Sequence, residues 1–134
     1  MTEALAGVLG APVAILSCAV NANRPLSSPR VVKLNVSDLR SEGRAMMTPN
    51  VGSTGDRIMI IRESEGRFVA LSMRCTHAGC RVNAPVNGVI NCPCHGSQFD
   101  LTGQVLRGPA PSPLHQYEVL SYDRKAQALT IRIH

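Results

Sequence analysis

The chain has 134 residues, enough for one domain with a modest core. Charged residues are 17% of it, and two Tyr, two Phe and no Trp stand against eleven Gly and nine Pro, a mix that reads as short strands and many turns rather than a helical bundle. The formal net charge is +5, but Lys and Arg are scattered singly, with no basic run and no aromatic interleaving, which argues against a nucleic-acid partner; a mildly basic surface favours acidic protein partners.

The chain divides into three parts. Residues 4–20, ALAGVLGAPVAILSCAV, carry no charge, and their length is at the lower limit for a membrane span. Many are Ala or Gly, and Pro12 sits midway. Three readings stay open for residues 1–20: a membrane anchor, a cleaved or lipidated signal segment, or an apolar helix buried against the domain or a partner. Glu3 stands where a signal peptide carries basic residues, and ILSC at 15–18 loosely resembles a lipoprotein cleavage site ending at Cys18. Residues 21–30, NANRPLSSPR, read as a flexible hinge, polar with two prolines.

From residue 31 to 134, apolar runs alternate with turn signals. VVKLNV (31–36) reads as a first strand and LRSEGRAMM (39–47) as a loop. DRIMIIRE (56–63) and RFVALSM (67–73) form a hairpin across SEG. APVNGVINCP (84–93) holds Asn87-Gly88, a dipeptide that tolerates positive φ at both positions and signals a tight hairpin. The segments CTHAGC (75–80) and CPCHGS (92–97) then become the outer ends of one hairpin, brought together by its turn. LTGQVLRG (101–108) reads as a turn and strand, and HQYEVLSYD (115–123) with QALTIRIH (127–134) as a last hairpin. Short antiparallel strands at this spacing predict an all-β sandwich or barrel.

Cys75, Cys80, Cys92, Cys94, His77 and His95 all fall within residues 75–95. Two thiolates and two imidazoles, from C-x-H at 75–77 and C-x-x-H at 92–95, would satisfy a tetrahedral zinc. Structural zinc sites, however, pair Cys with Cys and His with His along the chain, and Cys80 and Cys94 would be left over. A mixed Cys-His pair on each arm suits a [2Fe–2S] cluster with chemically different irons, one taking Cys75 and Cys92 and the other His77 and His95. Replacing two thiolates by neutral imidazoles removes negative charge, so the cluster accepts an electron more readily. His115 and His134 lie outside these motifs and read as surface residues.

CTHAGC and CPCHGSQFD, with GPAP at 108–111, resemble the Rieske iron–sulfur protein of quinol:cytochrome c oxidoreductases, the cytochrome bc and bf complexes. The likeness covers about residues 31–134, and the apolar segment and hinge match that family's layout. It implies an antiparallel β domain with a cluster-binding subdomain of two loops, and one Rieske [2Fe–2S] cluster ligated by Cys75, His77, Cys92 and His95. It also implies a Cys80–Cys94 disulfide tying the loops, hence an oxidising compartment. Ser97 then corresponds to the serine that bonds a bridging sulfide, Gly96 lets the backbone approach the cluster, and Gly108, Pro109, Ala110 and Pro111 form the proline loop that covers it. The chain departs from the family in two places. Ala78 stands where relatives commonly have Leu at the quinol-docking tip. Phe99 stands where they commonly have a Tyr whose hydroxyl bonds a ligand sulfur.

The function implied is electron transfer within a membrane complex: an electron and a proton from a quinol, passed on to a cytochrome c-type acceptor. The implied partners are a cytochrome b-type membrane subunit, the quinol and the cytochrome, with the domain on the periplasmic or equivalent outer face. Arg24 and Arg30 sit awkwardly with that orientation, because the positive-inside rule would hold them in the cytoplasm unless the folded domain is exported whole. Two other readings remain: an exported or membrane-tethered Rieske carrier of another oxidoreductase complex, and a soluble Rieske ferredoxin of an oxygenase system, whose members usually lack the extra cysteine pair.

Overall fold

A computed structural model describes residues 29–39, 43–51 and 55–133. The apolar segment at 1–20 with Cys18, most of the hinge, and His134 lie outside the described residues. Among the described residues no helix is long and apolar enough to cross a membrane.

The described chain is all β. Its nine strands are β1 (Arg30–Asn35), β2 (Ala45–Met47), β3 (Ile58–Ser64), β4 (Arg67–Ser72), β5 (Ile90–Asn91), β6 (Gln98–Phe99), β7 (Val105–Arg107), β8 (Gln116–Asp123) and β9 (Ala128–Ile133). Six form one antiparallel sheet in the order β1-β9-β8-β4-β3-β2, and three form a second in the order β5-β6-β7. The β3–β4 and β8–β9 hairpins are those the apolar alternation predicts.

β3 is apolar on both faces, and the packing explains why. Met59 and Ile61 enter one core with Val69, Leu71 and Met73, while Ile58 and Ile60 enter a second core with Phe68, Ala70, Leu129 and Ile131. Side chains alternate across a strand, so the β3–β4 hairpin is a wall shared by two cores and must be apolar throughout. Each fully buried Leu or Ile contributes about 1.5–3 kcal/mol. The first core holds Cys75, Cys92 and Phe99, and the second forms the base of the domain.

Residues 39–47 are not wholly a loop: Ala45–Met47 pair with β3, Ala45 opposite Ile61 and Met47 opposite Met59. The segment lacks β-branched residues, so its strand character comes from the neighbouring strand rather than from local preference. Two pairings between distant segments complete the large sheet. β1 runs against β9 from Arg30↔Ile133 to Asn35↔Ala128, and β8 joins β4 through Ala70↔Tyr117 and Leu71↔Gln116. The second of these carries His115 and Tyr117 toward the segment that holds Cys75 and His77.

Candidate metal centre

The two Cys/His segments fold alike. In residues 75–80 the Cys75 N–H donates to the Cys80 carbonyl (2.7 Å) and the Gly79 N–H to the Cys75 carbonyl (2.9 Å). In residues 92–97 the Cys92 N–H donates to the Ser97 carbonyl (2.8 Å) and the Gly96 N–H to the Cys92 carbonyl (3.1 Å). Both turns close on a glycine with positive φ, 74° at Gly79 and 77° at Gly96, where a Cβ would be strained. A Cβ on Gly96 would meet no protein atom within 4 Å, and its positive φ by itself already favours glycine here.

Each loop is the tip of its own small hairpin. Arg74 bridges Arg81 beneath the first, and β5 pairs with β6 beneath the second, Ile90 opposite Phe99. The connection between them is the expected hairpin: Val86 bridges Val89, and Asn87 and Gly88 take φ of 52° and 79°. The Asn83 N–H donates to the Asn91 carbonyl (2.8 Å), which sets the loops side by side. The single-hairpin reading is therefore incomplete, because supports of one or two residues leave too little pattern to show in the sequence.

A Cys80–Cys94 disulfide joins the loops. Behind it Cys75 and Cys92 are buried free cysteines. Burial pushes the Cys92 thiol above its usual pKa, and Cys75 pushes the same way through its hydrogen bond and charge, while the backbone amides of Cys94 and His95 oppose it. In front, His77 and His95 are exposed, their rings edge to face at 85° with centroids 4.6 Å apart. Their Nδ1 atoms approach to 3.2 Å, which turns the two Nε2 atoms away from the contact. The donors thus form a buried sulfur pair and an exposed nitrogen pair, the division a cluster with two unlike irons requires.

The surrounding residues hold this arrangement in place. Ser97 is fully buried, and its Oγ accepts the Ala110 N–H (3.0 Å), which leaves the hydroxyl proton free to donate elsewhere. That bond ties the second loop to residues 108–111, of which Ala110 is buried and Gly108, Pro109 and Pro111 are exposed. The first loop is tied to the same segment by the Thr76 hydroxyl, which donates to the Ser112 carbonyl (2.6 Å). Phe99 is wholly buried in the core that contains both free cysteines. Ala78 is exposed.

A Rieske [2Fe–2S] domain model matches residues 30–118. The chain belongs to the Rieske [2Fe–2S] family. Its cofactor is a Rieske-type [2Fe–2S] cluster, and the two donor pairs fit it. The Rieske chain is 33% identical over 120 residues to the cytochrome b6-f complex iron-sulfur subunit of Chlorobaculum thiosulfatiphilum, covering 85% of this chain and 65% of that one. It spans two thirds or less of the length of the curated relatives it matches. Its fold resembles the plasma membrane Rieske protein PetC3 of Synechocystis PCC 6803 (TM-score 0.60, 29% identity, 77% of this chain and 99% of that one). It also resembles a chain of a hyperthermophilic respiratory Complex III (TM-score 0.57, 25% identity, 75% and 72% covered).

Sequence reasoning missed the flank of this Rieske centre. His115 is exposed, as expected, but its ring stands edge to face against Tyr117 (4.7 Å, 87°). Both line a cavity of about 550 Å³ with Arg74, Thr76, His77 and Ala78. Burial raises the Tyr117 pKa, a hydrogen bond with the Ser72 side chain counters it, and the Asp56 charge adds to the rise. The β4–β8 pairing brings these residues together, and no motif announces a pairing between distant segments.

Proposed function

We propose that this chain is the electron-transfer subunit of a quinol:cytochrome c oxidoreductase, taking an electron with a proton from a quinol and passing the electron to a cytochrome c-type acceptor. Cys75 and Cys92 would hold one iron, His77 and His95 the other. The observation that carries the reading is the histidine pair: Nδ1 atoms 3.2 Å apart on exposed rings, above buried thiols, on loops joined by a disulfide. Bound there, the cluster supplies a one-electron couple at a potential raised by its neutral ligands. The residues do the rest. Outward Nε2 atoms can accept a hydrogen bond from a quinol hydroxyl and take its proton. The buried core of Phe99, Cys75 and Cys92 keeps water from the sulfur side, and the disulfide fixes the loops. Residues 21–29 are the proposed hinge, since Arg30 already belongs to β1 and pairs with Ile133, and residues 1–20 the proposed anchor, with the domain on the outer, oxidising side of the membrane, where the disulfide would persist. A cytochrome b-type subunit is the proposed membrane partner.

A second reading, an exported or tethered carrier of another complex, draws on Ala78, which leaves the loop tip without the bulky side chain common in quinol-oxidising relatives. The disulfide speaks against a soluble ferredoxin of an oxygenase system.

An electron paramagnetic resonance redox titration repeated across pH tests the first reading. The potential should be flat at low pH and fall as pH rises, because imidazoles that have lost a proton leave negative charge that disfavours the added electron. A potential constant from neutral to strongly alkaline pH would sink proton-coupled transfer. Co-purification with a cytochrome b-type subunit separates the first reading from the second.

A further inference from the structure

Three arginines stand on the flank of the 75–80 loop. Arg57, Arg74 and Arg81 line a cavity of about 210 Å³ together with Asp56 and Gly79. Arg74 and Arg81 are exposed and directly opposed in the bridge that closes the loop. Like charges so placed destabilise a strand pair. None of the three forms an ion pair among the described residues, where the salt bridges use Glu63, Glu65 and Glu118 instead. The Arg57 Nε donates to the Asn50 Oδ1 (3.3 Å). Arg74 lies across Gly79, so close that a Cβ there would stand 3.1 Å from its Nε. The glycine thus lets a guanidinium lie flat against the loop that carries His77. Asp56, Arg74 and Gly79 also line the larger cavity that reaches Thr76, His77 and Ala78, so the basic flank runs on to the exposed histidine edge.

We propose that this arginine flank is a docking surface for an acidic haem protein that takes the electron from the centre, with the partner's carboxylates on Arg57, Arg74 and Arg81 and its haem edge brought to His77. Charge complementarity argues for that occupant: three guanidiniums face one lining carboxylate, on a chain of net charge +5. Carboxylates match the guanidinium fork in pairs, and complementary charge steers a diffusing partner more than it tightens the complex. One electron leaves the reduced centre and turns the partner's ferric haem ferrous. The proton that arrived with it leaves to solvent, and no other bond forms or breaks. The inference rests on the electron-transfer reading of the centre, and not on quinol as the donor.

The test mixes the reduced, cluster-loaded protein with a c-type cytochrome of acidic pI in a stopped-flow instrument. The second-order rate should fall as ionic strength rises from about 10 to 200 mM, as screening predicts. The triple variant Arg57→Gln/Arg74→Gln/Arg81→Gln should lower the low-salt rate roughly tenfold and flatten its salt dependence, with spectrum and midpoint potential unchanged. Lys33→Gln/Arg67→Gln/Lys125→Gln removes the same charge elsewhere and should keep the rate within about twofold. Should the triple variant not take up its cluster, Arg57→Gln/Arg81→Gln, which spares the Arg74–Gly79 contact, should lower the rate by about threefold. A loaded patch variant with the wild-type rate, or a remote variant slowed equally, overturns the docking surface. Oxidation by uncharged 1,4-benzoquinone separates the two levels: a wild-type protein that yields it no electron overturns the electron-transfer reading, whereas patch variants that react normally with it leave the cytochrome rates to judge the surface alone.

Discussion

Phe99 is a proposed tuning residue of the centre, outside the proposed ligand set. It is fully buried in the core with Cys75 and Cys92, and its ring has no hydroxyl to donate to a ligand sulfur. Such a donor stabilises the reduced state more, because that state carries more negative charge on sulfur. One hydrogen bond is worth on the order of 1–1.5 kcal/mol, and roughly 1.4 kcal/mol corresponds to about 59 mV for a one-electron couple. Phe99→Tyr should therefore raise the potential by roughly 40–60 mV, with wild type inside the Rieske range of about −150 to +300 mV and below its top. An intact cluster at an unchanged or lower potential would show that the added hydroxyl does not reach the sulfur. The proposed ligands admit a blunter test. Cys75→Ser, His77→Ala, Cys92→Ser and His95→Ala should each abolish the Rieske-type resonance signal, and a variant that keeps it in full removes that residue from the ligand set.

At the scale of elements, the loops depend on their fastenings. Replacing Cys80 and Cys94 together by Ser should leave the donors in place but shorten the lifetime of the bound cluster, since the loops have little regular structure of their own. Absorbance decay at constant temperature reads this out, and mass spectrometry of unreduced protein should show the two cysteines linked. A second fastening is the turn after β6. The Asp100 Oδ1 accepts the Thr102 N–H (2.8 Å), the Thr102 hydroxyl (2.7 Å) and the Gln104 N–H (2.9 Å). Burial works against its charge, yet these bonds hold the Asp100 pKa below the usual carboxylate value. A carboxyl lowered in the folded state stabilises fully above the unfolded value of about 3.9 and loses that contribution as pH falls through the lower folded value. Asp100→Asn keeps an Oδ1 acceptor and removes only the charge at a partly exposed turn, so it should cost on the order of 0.5–1 kcal/mol near neutral pH, and the gap from wild type should narrow as pH drops below about 4; thermal melts across pH would expose a gap that does not narrow. The CTHAGC and CPCHGS motifs made the loops legible in the sequence, and Asn87-Gly88 showed how they meet, because those signals are local. The support beneath each loop, β2, and the Arg74–His115 flank were not legible. They come from pairings between segments far apart in sequence, or from strands too short to show a period of two.

On the scale of the whole molecule, one hairpin divides the work between two cores, and its sequence shows only half of that. The run Ile58–Ile61 is plainly buried on both faces, but which face serves the cluster follows from register: Met59 opposes Leu71 and Ile61 opposes Val69, all in the core of Cys75, Cys92 and Phe99. Leu129 belongs to the other core, between β1 and β8 on the base side. Leu71 and Leu129 are both fully buried, so either Leu→Ala change should remove about 2–5 kcal/mol of global stability, as transfer and cavity costs together predict. Their effects on the centre should part. A cavity at Leu71 lies in the core that packs the two free cysteines, and that residue also contacts the turn at Gly103, whose Cβ position is 3.0 Å from the Leu71 Cδ2. Leu71→Ala should therefore speed loss of the cluster well below the melting temperature, while Leu129→Ala, at similar cost in stability, should leave the rate of loss near that of wild type until the domain unfolds. Chemical denaturation and visible absorbance decay, measured on the same two variants, decide it: equal rates of cluster loss at equal stability would mean that the two cores act as one.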